Sequence, residues 1–497
     1  MNQNRKLSYI FVILLIFSAN IIFFSNNSIA ATLELDTNYT DEYYEWLSLP
    51  EEEKVNVIEP PKYEIRTKNK TNFLSKLLKS YKSSLESKFD LRQKIKLTVK
   101  DQKNTDECWA ISTLNCLESN FQLRHEKVYD FSERHMDYAT SQSFFDGENV
   151  GSFSRNVGEG GNVNVAYSYL TNGQGAVSEE EMPFENNENN IQISSIQNKT
   201  VLTKVNQYRY FDTIDKQKDS EATIEANREQ IKEHIKNYGA VTATIPSKIV
   251  TRKTQYYNEE KAAVYCNDNS WTEDHQIAIV GWDDDYAVEN FNSNCIPSKK
   301  GAWIVENSWG ESYGDKGYFY YSYEDIFIDD DVTGIVEASE VDYDNLYQYD
   351  YLGSNNKCSL TNAKTAYEAA IFKKKTDGIE KIDEIAFHTW NEQKCKIYIN
   401  KTGTSLNEEN LELVKEIDTA LKPGYHTIKL NVPIAVKSDF AVVVGFTTVS
   451  NSVAYVSVEA SANDDLGWYK NSTQNSGEGY ISSSLKSGWH DLIRSWC

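Results

Sequence analysis

Hydrophobic side chains between residues 88 and 335 follow two different spacings along the chain. After Cys108, apolar residues recur at helical spacing, which predicts one buried helix. These residues are Ala110, Ile111, Leu114, Leu117 and Phe121. Short apolar runs bounded by glycine turns follow later: HQIAIVGW (275–282), GAWIVENSW (301–309) and GYFYYS (317–322). Such runs predict strands, so this region mixes helix and sheet, whereas the polar stretch 185–200 is expected to be a loop.

The pattern changes at about residue 340, where β-rich segments follow one another closely. They include KIDEIAFHTW (381–390), CKIYIN (395–400), GYHTIKLNVPIAV (424–436), DFAVVVGFTT (439–448) and VAYVSVEA (453–460). Closely spaced short strands are typical of a β-sandwich. The chain is therefore expected to hold an α+β domain over 88–335 and an all-β sandwich domain over 336–497.

The first 30 residues have the pattern of an export signal. Arg5 and Lys6 precede an apolar run over 9–18, and Ser28-Ile29-Ala30 supplies the small-x-small motif at which a signal peptidase cuts. An uncleaved anchor is the alternative, but polar residues interrupt the apolar run. We expect a secreted, extracellular or cell-surface protein without a membrane span once the signal is removed.

A charged leader follows over 31–87. Pro60-Pro61 breaks any helix there, and the stretch NFLSKLLKSYKSSL (72–85) carries apolar residues on one helical face. Two interpretations stay open. The leader is either a propeptide laid over another part of the molecule or an extension packed on a domain.

Composition and charge exclude some partners. The 497 residues carry a formal net charge of −23 and include 32 Tyr, 20 Phe and 10 Trp, so the chain can bury large cores. Nucleic acid is not an expected partner, because phosphate binding needs clustered Lys and Arg. No HExxH or paired CxxC spacing is present, so no metal or cofactor is predicted. Calcium in the β-rich tail is an alternative for which no ligand set is recognisable.

Seven cysteines leave one unpaired if the others form disulfides. Cys266 and Cys295 bracket the predicted strand at 275–282, and a disulfide between them is one hypothesis. A second hypothesis pairs Cys358 with Cys395 in the tail. Cys116 lies among apolar helix positions and is expected to be a buried free thiol.

Cys108 stands directly before Trp109 at the predicted start of the helix. It is half of a disulfide, an inert core thiol or a nucleophile. A helix N-terminus favours the thiolate, which is the reactive form. A thiol nucleophile needs a base and a group that orients the base, and His275 and Asn307 are the candidates.

Two further residues complete this candidate site. Gln102 is expected to direct its amide N–H groups at an oxyanion beside the Cys108 backbone N–H. Trp309 is expected to shield the hydrogen bond between His275 and Asn307 from water. Together these residues supply a nucleophile, a base, an orienting group and oxyanion donors.

The order Gln, Cys-Trp, His, Asn-Ser-Trp-Gly over 88–335 resembles the papain-like cysteine peptidases. The resemblance implies a two-lobed fold, with a helical lobe and a β-barrel-like lobe, and a protein or peptide substrate. GEGGNVNVAYSYL (158–170) is similar to the family segment whose backbone pairs with substrate. It implies that Gly160 and Gly161, together with Trp309, bind substrate.

The leader and the tail look like those of bacterial secreted or surface peptidases of this family that carry a lectin-like domain. The likeness lies in WLSLPEEEKVNVIEPPKY (46–63) and in the tail segments 421–448 and 479–492. Cell-surface carbohydrate is thereby implied as a partner, only through the name of that class.

The sequence departs from the family signature just before the nucleophile. Thr105 stands where the signature has a cysteine, so the family's usual first disulfide cannot form there. Asp106 is expected to narrow the S1 side of the cleft. Asp106 and Glu107 also disfavour a thiolate, since one unit charge ~5 Å away costs about 0.8 to 3 kcal/mol. The thiol of papain has a pKa roughly five units below that of a free thiol, so we still expect the ion pair with His275 to form.

The sequence thus predicts an exported cysteine endopeptidase that acts through a thioester on Cys108. If the leader is a propeptide, it is expected to keep the enzyme inactive until it is removed. The rival hypothesis is a surface-binding, adhesin-like protein with a degenerate peptidase scaffold.

Overall fold

The computed structural model describes residues 9–13, 33–36, 38–49, 62–65, 85–141, 153–184, 193–329, 331–360, 362–450, 452–459, 478–486 and 488–491. Of the predicted signal peptide it describes only the backbone of Tyr9–Ile13, and most of the apolar stretch 72–85 lies outside the described residues. Within the described ranges, no helix is both long and apolar enough to cross a membrane.

Among the described residues, the α-helices belong to the leader and to the region before residue 240. They are α1 (Asp41–Leu47), α2 (Cys108–His125), α3 (Glu133–Ala139), α4 (Val163–Thr171), α5 (Ile193–Gln197) and α6 (Glu221–Tyr238). The strands up to residue 340 are β1 (Tyr9–Ile13), β2 (Leu33–Leu35), β3 (Lys88–Asp90), β4 (Thr203–Tyr210), β5 (Val241–Ile245), β6 (Tyr257–Asn258), β7 (Ala263–Val264), β8 (His275–Asp283), β9 (Ala302–Glu306), β10 (Tyr318–Ser322) and β11 (Thr333–Glu340).

The tail is built from strands. They are β12 (Asn345–Tyr347), β13 (Asn356–Leu360), β14 (Thr365–Phe372), β15 (Glu380–Thr389), β16 (Gln393–Asn400), β17 (Glu412–Leu421), β18 (Gly424–Val436), β19 (Phe440–Thr448), β20 (Tyr455–Val458), β21 (Gly479–Ser482) and β22 (His490–Asp491). The predicted α+β architecture followed by a β-rich domain is confirmed.

Helix α2 runs through the centre of the first region. Every residue from Cys108 to Phe121 is buried, and the helix ends at Glu126, whose φ of 56° is left-handed. α2 packs on strands β5, β8 and β11 and on helices α3, α4 and α6. The predicted strands 275–282, 301–309 and 317–322 correspond to β8, β9 and β10 and are confirmed.

The loop prediction for 185–200 is wrong in its described second half, where α5 forms. Ile196 is buried in the core, and its carbonyl oxygen lies 3.1 Å from His135 Nε2. Burial of one apolar residue on the helical domain thus orders a short stretch that is otherwise polar.

One large sheet connects the two regions. Its order is β12-β1-β15-β18-β4-β11-β5-β8-β9-β10-β7-β6, with β3 on β8. The connection is the antiparallel pairing of β18 with β4, in which Tyr425 lies opposite Tyr208. The tail therefore continues the hydrogen-bonded sheet of the preceding domain.

The tail folds as a sandwich around its own core. A second sheet, of order β17-β16-β19-β14-β21-β22, packs against β15 and β18 through buried side chains such as Ile385, Ile397 and Val444. The rings of Phe387 and Phe446 meet edge to face with centroids 5.3 Å apart. The five β-rich runs predicted in the tail correspond to β15, β16, β18, β19 and β20.

The described leader residues pack on the tail and on the edge of the first domain. β2 pairs with β13, and Tyr63, which is 1% exposed, donates from its hydroxyl to the Asp36 carbonyl oxygen at 2.8 Å. The backbones of Ile65 and Thr213 are hydrogen bonded, with Thr213 N–H donating to Ile65 O at 3.0 Å. This part of the leader is packed on both domains, an arrangement that both interpretations of the leader allow.

Candidate active site

Cys108 is the first residue of α2, and its side chain faces strand β8. The residue is 6% exposed. Burial raises the pKa of the thiol to about 12, although a hydrogen bond from the backbone of Gln276 opposes this rise. Because Gln276 directly follows His275, the sulfur lies beside the start of β8, where the predicted base is located.

His275 and Asn307 are hydrogen bonded. His275 Nε2 lies 2.8 Å from Asn307 Oδ1, and the same oxygen accepts the Ser308 backbone N–H at 2.8 Å. Since Oδ1 only accepts, Nε2 must carry the proton, and Nδ1 is the basic nitrogen of the neutral ring. Antiparallel pairing of β8 with β9 brings the two residues together.

Trp309 covers the imidazole. Its ring stacks on His275 with centroids 4.9 Å apart and planes 29° apart. Tyr313 also contacts the indole, edge to face, with ring centroids 5.0 Å apart. This is the position that a shield of the His275–Asn307 bond would take.

Gln102 is buried at 8% exposure and is fixed from both ends of its amide. Its Nε2 donates to the Thr105 carbonyl oxygen at 2.6 Å, and its Oε1 accepts from the Ser308 hydroxyl. A primary amide has two N–H groups, so one of them is not used by Thr105. Ser308 is the residue that sequence reasoning missed. The only signal available was its place between Asn307 and Trp309.

Gly160 and Gly161 lie just before α4, and Gly161 packs against Trp109 at the start of α2. A Cβ on Gly161 would lie 2.4 Å from Trp109 Cδ2, so the glycine backbone rests directly on the indole next to the nucleophile. A Cβ on Gly160 would meet nothing within 4 Å. The space beside the Gly161 Cα is therefore filled by the indole, whereas the space beside the Gly160 Cα is open.

The acidic residues near the nucleophile act differently from one another. Glu107 is buried, and burial followed by repulsion from Asp137 and Glu133 raises its pKa well above the ordinary value. A neutral Glu107 would not oppose a thiolate. Two negative charges also raise the pKa of Cys108, and Asp274 contributes more than Asp106.

Burial also lowers the pKa of His275, although the bond to Asn307 opposes this effect. Taken separately, the thiol and the imidazole are thus both held neutral. In an ion pair between a Cys108 thiolate and a His275 imidazolium, each charge would stabilise the other.

The predicted disulfides are not present in the structure. Cys266, Cys295, Cys358 and Cys395 are all buried free thiols. The sulfur of Cys266 contacts the Asp268 carbonyl oxygen at 3.5 Å, and that of Cys295 contacts Asn267 Oδ1 at 3.6 Å, so each has a local partner. Cys358 and Cys395 lie on separate strands, and burial, followed by repulsion from Glu368, raises the pKa of both thiols.

Cys116 is a buried free thiol, as expected, whereas Cys497 lies outside the described residues. In the part of the chain that the structure describes, no group of three or more His, Cys, Asp or Glu side chains is arranged to hold a metal ion.

Comparison with models of known protein families shows which family the chain belongs to. The profile of the papain family cysteine proteases matches residues 85–336, just over half of the chain. The chain belongs to the papain family. A profile described as a lectin-like domain matches residues 346–496.

Several papain-family relatives are similar in sequence. A viral cathepsin of Choristoneura fumiferana defective polyhedrosis virus is 27% identical over 234 residues, which is 46% of this chain and 57% of the relative. The viral cathepsin of Antheraea pernyi nuclear polyhedrosis virus is 29% identical, also over 46% of this chain and 57% of the relative. The chain thus spans little more than half the length of these relatives.

Two solved structures share the fold. The cysteine protease and lectin-like domains of Cwp84, a surface layer associated protein of Clostridium difficile, match with a TM-score of 0.74 and 22% identity, over 92% of this chain and 95% of that one. The clostridial protease Cwp84 after propeptide cleavage matches with a TM-score of 0.69 and 24% identity, over 82% and 95%. The combination of a papain-family domain with a lectin-like domain is therefore shared along most of both chains.

Proposed function

We propose that this papain-family chain is an exported cysteine endopeptidase that cleaves proteins through a thioester on Cys108. The observation that carries the proposal is the 2.8 Å hydrogen bond between His275 Nε2 and Asn307 Oδ1, beside a cysteine at a helix N-terminus. That bond leaves Nδ1 as the base. The intact set of nucleophile, base and orienting group supports catalysis rather than a degenerate scaffold.

The reaction begins with transfer of the Cys108 proton to His275 Nδ1. The sulfur attacks the substrate carbonyl carbon, and its oxygen becomes an oxyanion that accepts from the Cys108 backbone N–H and the second Gln102 Nε2–H. The imidazolium then gives its proton to the leaving amine, and a thioester remains. Water, activated by the neutral ring, hydrolyses the thioester and restores the thiol.

No metal or other cofactor has a step in this scheme, because the thiol is the nucleophile and His275 moves the proton. Calcium in the tail stays an alternative without a ligand set. Activity that is unchanged by EDTA is the expected result.

We further propose that the chain is exported and that its tail holds the enzyme at the cell surface. The predicted signal peptide supports export, and the surface-layer association of Cwp84 supports the location. Cell-surface carbohydrate is the proposed ligand of the tail, supported only by the lectin-like profile.

The test uses purified full chain, chain lacking residues 31–87, and the Cys108→Ala variant of each, with denatured casein as substrate. We expect casein cleavage that a thiol-reactive epoxide stops and that Cys108→Ala abolishes. If the leader inhibits, the shortened chain will be the faster enzyme. Epoxide-resistant cleavage, or no cleavage by either wild-type form, would contradict the proposal.

The alternative is a surface-binding protein with a degenerate peptidase scaffold. The observations that favour it are Thr105 in place of the signature cysteine, the acidic residues at 106 and 107, and the lectin-like tail. Binding to cells that is the same for wild type and Cys108→Ala, combined with no peptidase activity, would support this alternative.

A further inference from the structure

Arg155 is a charged side chain that the proposed reaction does not use, and it is completely buried, with 0% exposure. Its guanidinium lies over the Trp109 ring at 5.0 Å from the centroid. Burial of a charge is costly unless the charge is paired and hydrogen bonded. Its partners therefore indicate what the residue does.

All five N–H groups of the guanidinium have acceptors. Nε donates to the Gly160 carbonyl oxygen at 3.1 Å, and Nη2 donates to Asp137 Oδ1 at 2.6 Å and to the Glu159 carbonyl oxygen. Nη1 donates to the Asp137 carbonyl oxygen at 2.9 Å and to Thr140 Oγ1 at 3.1 Å. Arginine is the side chain that offers five donors in a rigid fork, which lysine lacks.

These bonds connect the glycine segment with two helices. Asp137 lies in α3, and its Oδ2 also accepts the Gly158 backbone N–H at 2.9 Å. Trp109, whose ring lies under the guanidinium, is the second residue of α2, and the same ring packs against Gly161. Arg155 thus clamps residues 158–161 between α3 and the first turn of the nucleophile helix.

We propose that Arg155 is a positioning residue. It holds the backbone of Gly160–Gly161 in the position needed to pair with a bound peptide substrate. It would serve as a noncovalent tether in a chain whose Thr105 replaces the cysteine of the family signature. This inference rests on the proposed function, because it assumes that a peptide binds along the glycine segment.

The test is the Arg155→Lys variant of the full chain, which keeps the charge but cannot form the five bonds. The substrate is the casein-derived peptide that wild type cleaves fastest. We expect KM to rise about tenfold or more and kcat to change less than about threefold, because lost pairing weakens substrate and transition state alike. Inactivation by a peptidyl epoxide should slow to the same extent as KM rises, whereas inactivation by iodoacetamide should stay within about twofold of wild type, since this small reagent needs no pairing.

Arg92→Lys is the matched control. Arg92 is also paired with an aspartate, Asp90, at 2.7 Å, and its guanidinium also lies over an aromatic ring, Tyr318, at 4.5 Å. It has no contact with the glycine segment among its described bonds, so KM should be unchanged.

Several outcomes would overturn the inference. They are an unchanged KM in Arg155→Lys, a fall in iodoacetamide reactivity equal to the fall in kcat/KM, or the same rise in KM for Arg92→Lys. If Arg155→Lys does not fold, Asp137→Asn keeps the inference testable, since it weakens the same clamp and should raise KM about threefold or more. A wild-type chain without peptidase activity would overturn the proposed function and this inference with it, whereas an active wild type with an unaffected variant overturns only the inference.

Discussion

At the scale of single residues, the site depends on polar side chains that fix one another. Asn307 orients His275 through its oxygen, and Ser308 orients Gln102 through its hydroxyl. Two neighbouring residues of one motif therefore have separate roles: Asn307 orients the base, and Ser308 orients the oxyanion donor. The sequence predicted the roles of Asn307 and Gln102, but the role of Ser308 follows only from the contact across 206 positions of the chain.

The contact between Ser308 and Gln102 predicts a non-additive pair of substitutions. Gln102→Ala should lower kcat/KM by about 10² to 10³ because an oxyanion donor is lost. Ser308→Ala should lower it only about threefold to tenfold, since one neutral hydrogen bond is lost. The double variant should match Gln102→Ala, because Ser308 acts through that residue. Steady-state kinetics measures all three, with the exposed Ser312→Ala as control, and multiplicative losses would contradict the prediction.

A second prediction at this scale concerns Glu306, which directly precedes Asn307 and is 2% exposed. Burial, followed by repulsion from Glu118, raises its pKa from 4.5 to about 8. Between these values the native state binds more protons than the unfolded state, so stability is full below pH 4.5 and is lost as pH rises to about 8. Glu306→Gln should remove that loss, which amounts to roughly 1.4 kcal/mol per pH unit at most.

The measurement is the thermal midpoint of Glu306→Gln and wild type at pH 5 and pH 9. The thermal midpoint of Glu306→Gln, relative to that of wild type, should be higher at pH 9 than at pH 5. The midpoint of the exposed control Glu409→Gln should show no such change relative to wild type. An equal difference at both pH values would show that Glu306 is not protonated in the native state.

At the scale of elements, the glycine segment and the first turn of α2 form one packed unit. Hydrophobic spacing predicted α2, and the likeness of GEGGNVNVAYSYL to a family segment suggested the role of Gly160 and Gly161. The spacing could not show that Gly161 rests on Trp109, because this contact joins segments 52 positions apart (161 − 109).

Gly161→Ala should therefore disturb the site more than Gly160→Ala. The new methyl group on residue 161 would lie 2.4 Å from the indole, so the segment or the ring must move. We expect a lower thermal midpoint and a fall in kcat/KM of about tenfold or more. Gly160→Ala has open space, so its thermal midpoint should match wild type. Equal stability of the two variants would contradict the packing.

At the scale of the whole molecule, the tail and the papain-family domain are connected by a shared sheet and by charge. Lys204 of β4 is 5% exposed and forms an ion pair with Glu384 of β15 at 2.8 Å. Tyr208 and Tyr425 stack across the connection with centroids 5.7 Å apart. This continuity predicts that the two domains unfold together.

Gly424 lies directly against β4 in this connection, where it pairs with Arg209. Its φ is +139°, and a Cβ there would lie 2.2 Å from the Tyr208 carbonyl oxygen. Gly424→Ala should cost about 2 kcal/mol or more, because it adds backbone strain and a clash. Calorimetry should show one main transition for wild type, and an earlier or split transition for the variant. Gly403→Ala, which meets nothing within 4 Å, should behave as wild type, and a wild-type Gly424→Ala profile would contradict a coupled sheet.

The sequence by itself determined what local spacing and residue chemistry encode. It predicted α2, strands β8 to β10, five of the tail strands and the side chains of the candidate site, since helical and alternating patterns follow from backbone geometry. Tertiary structure alone decided the sheet connection between β4 and β18, the unpaired cysteines, the raised pKa of Glu107 and the clamp around Arg155. Each of these four features depends on which segments, distant along the chain, pack around a side chain or strand and exclude water from it. Hydrophobic spacing within one segment does not encode these distant contacts.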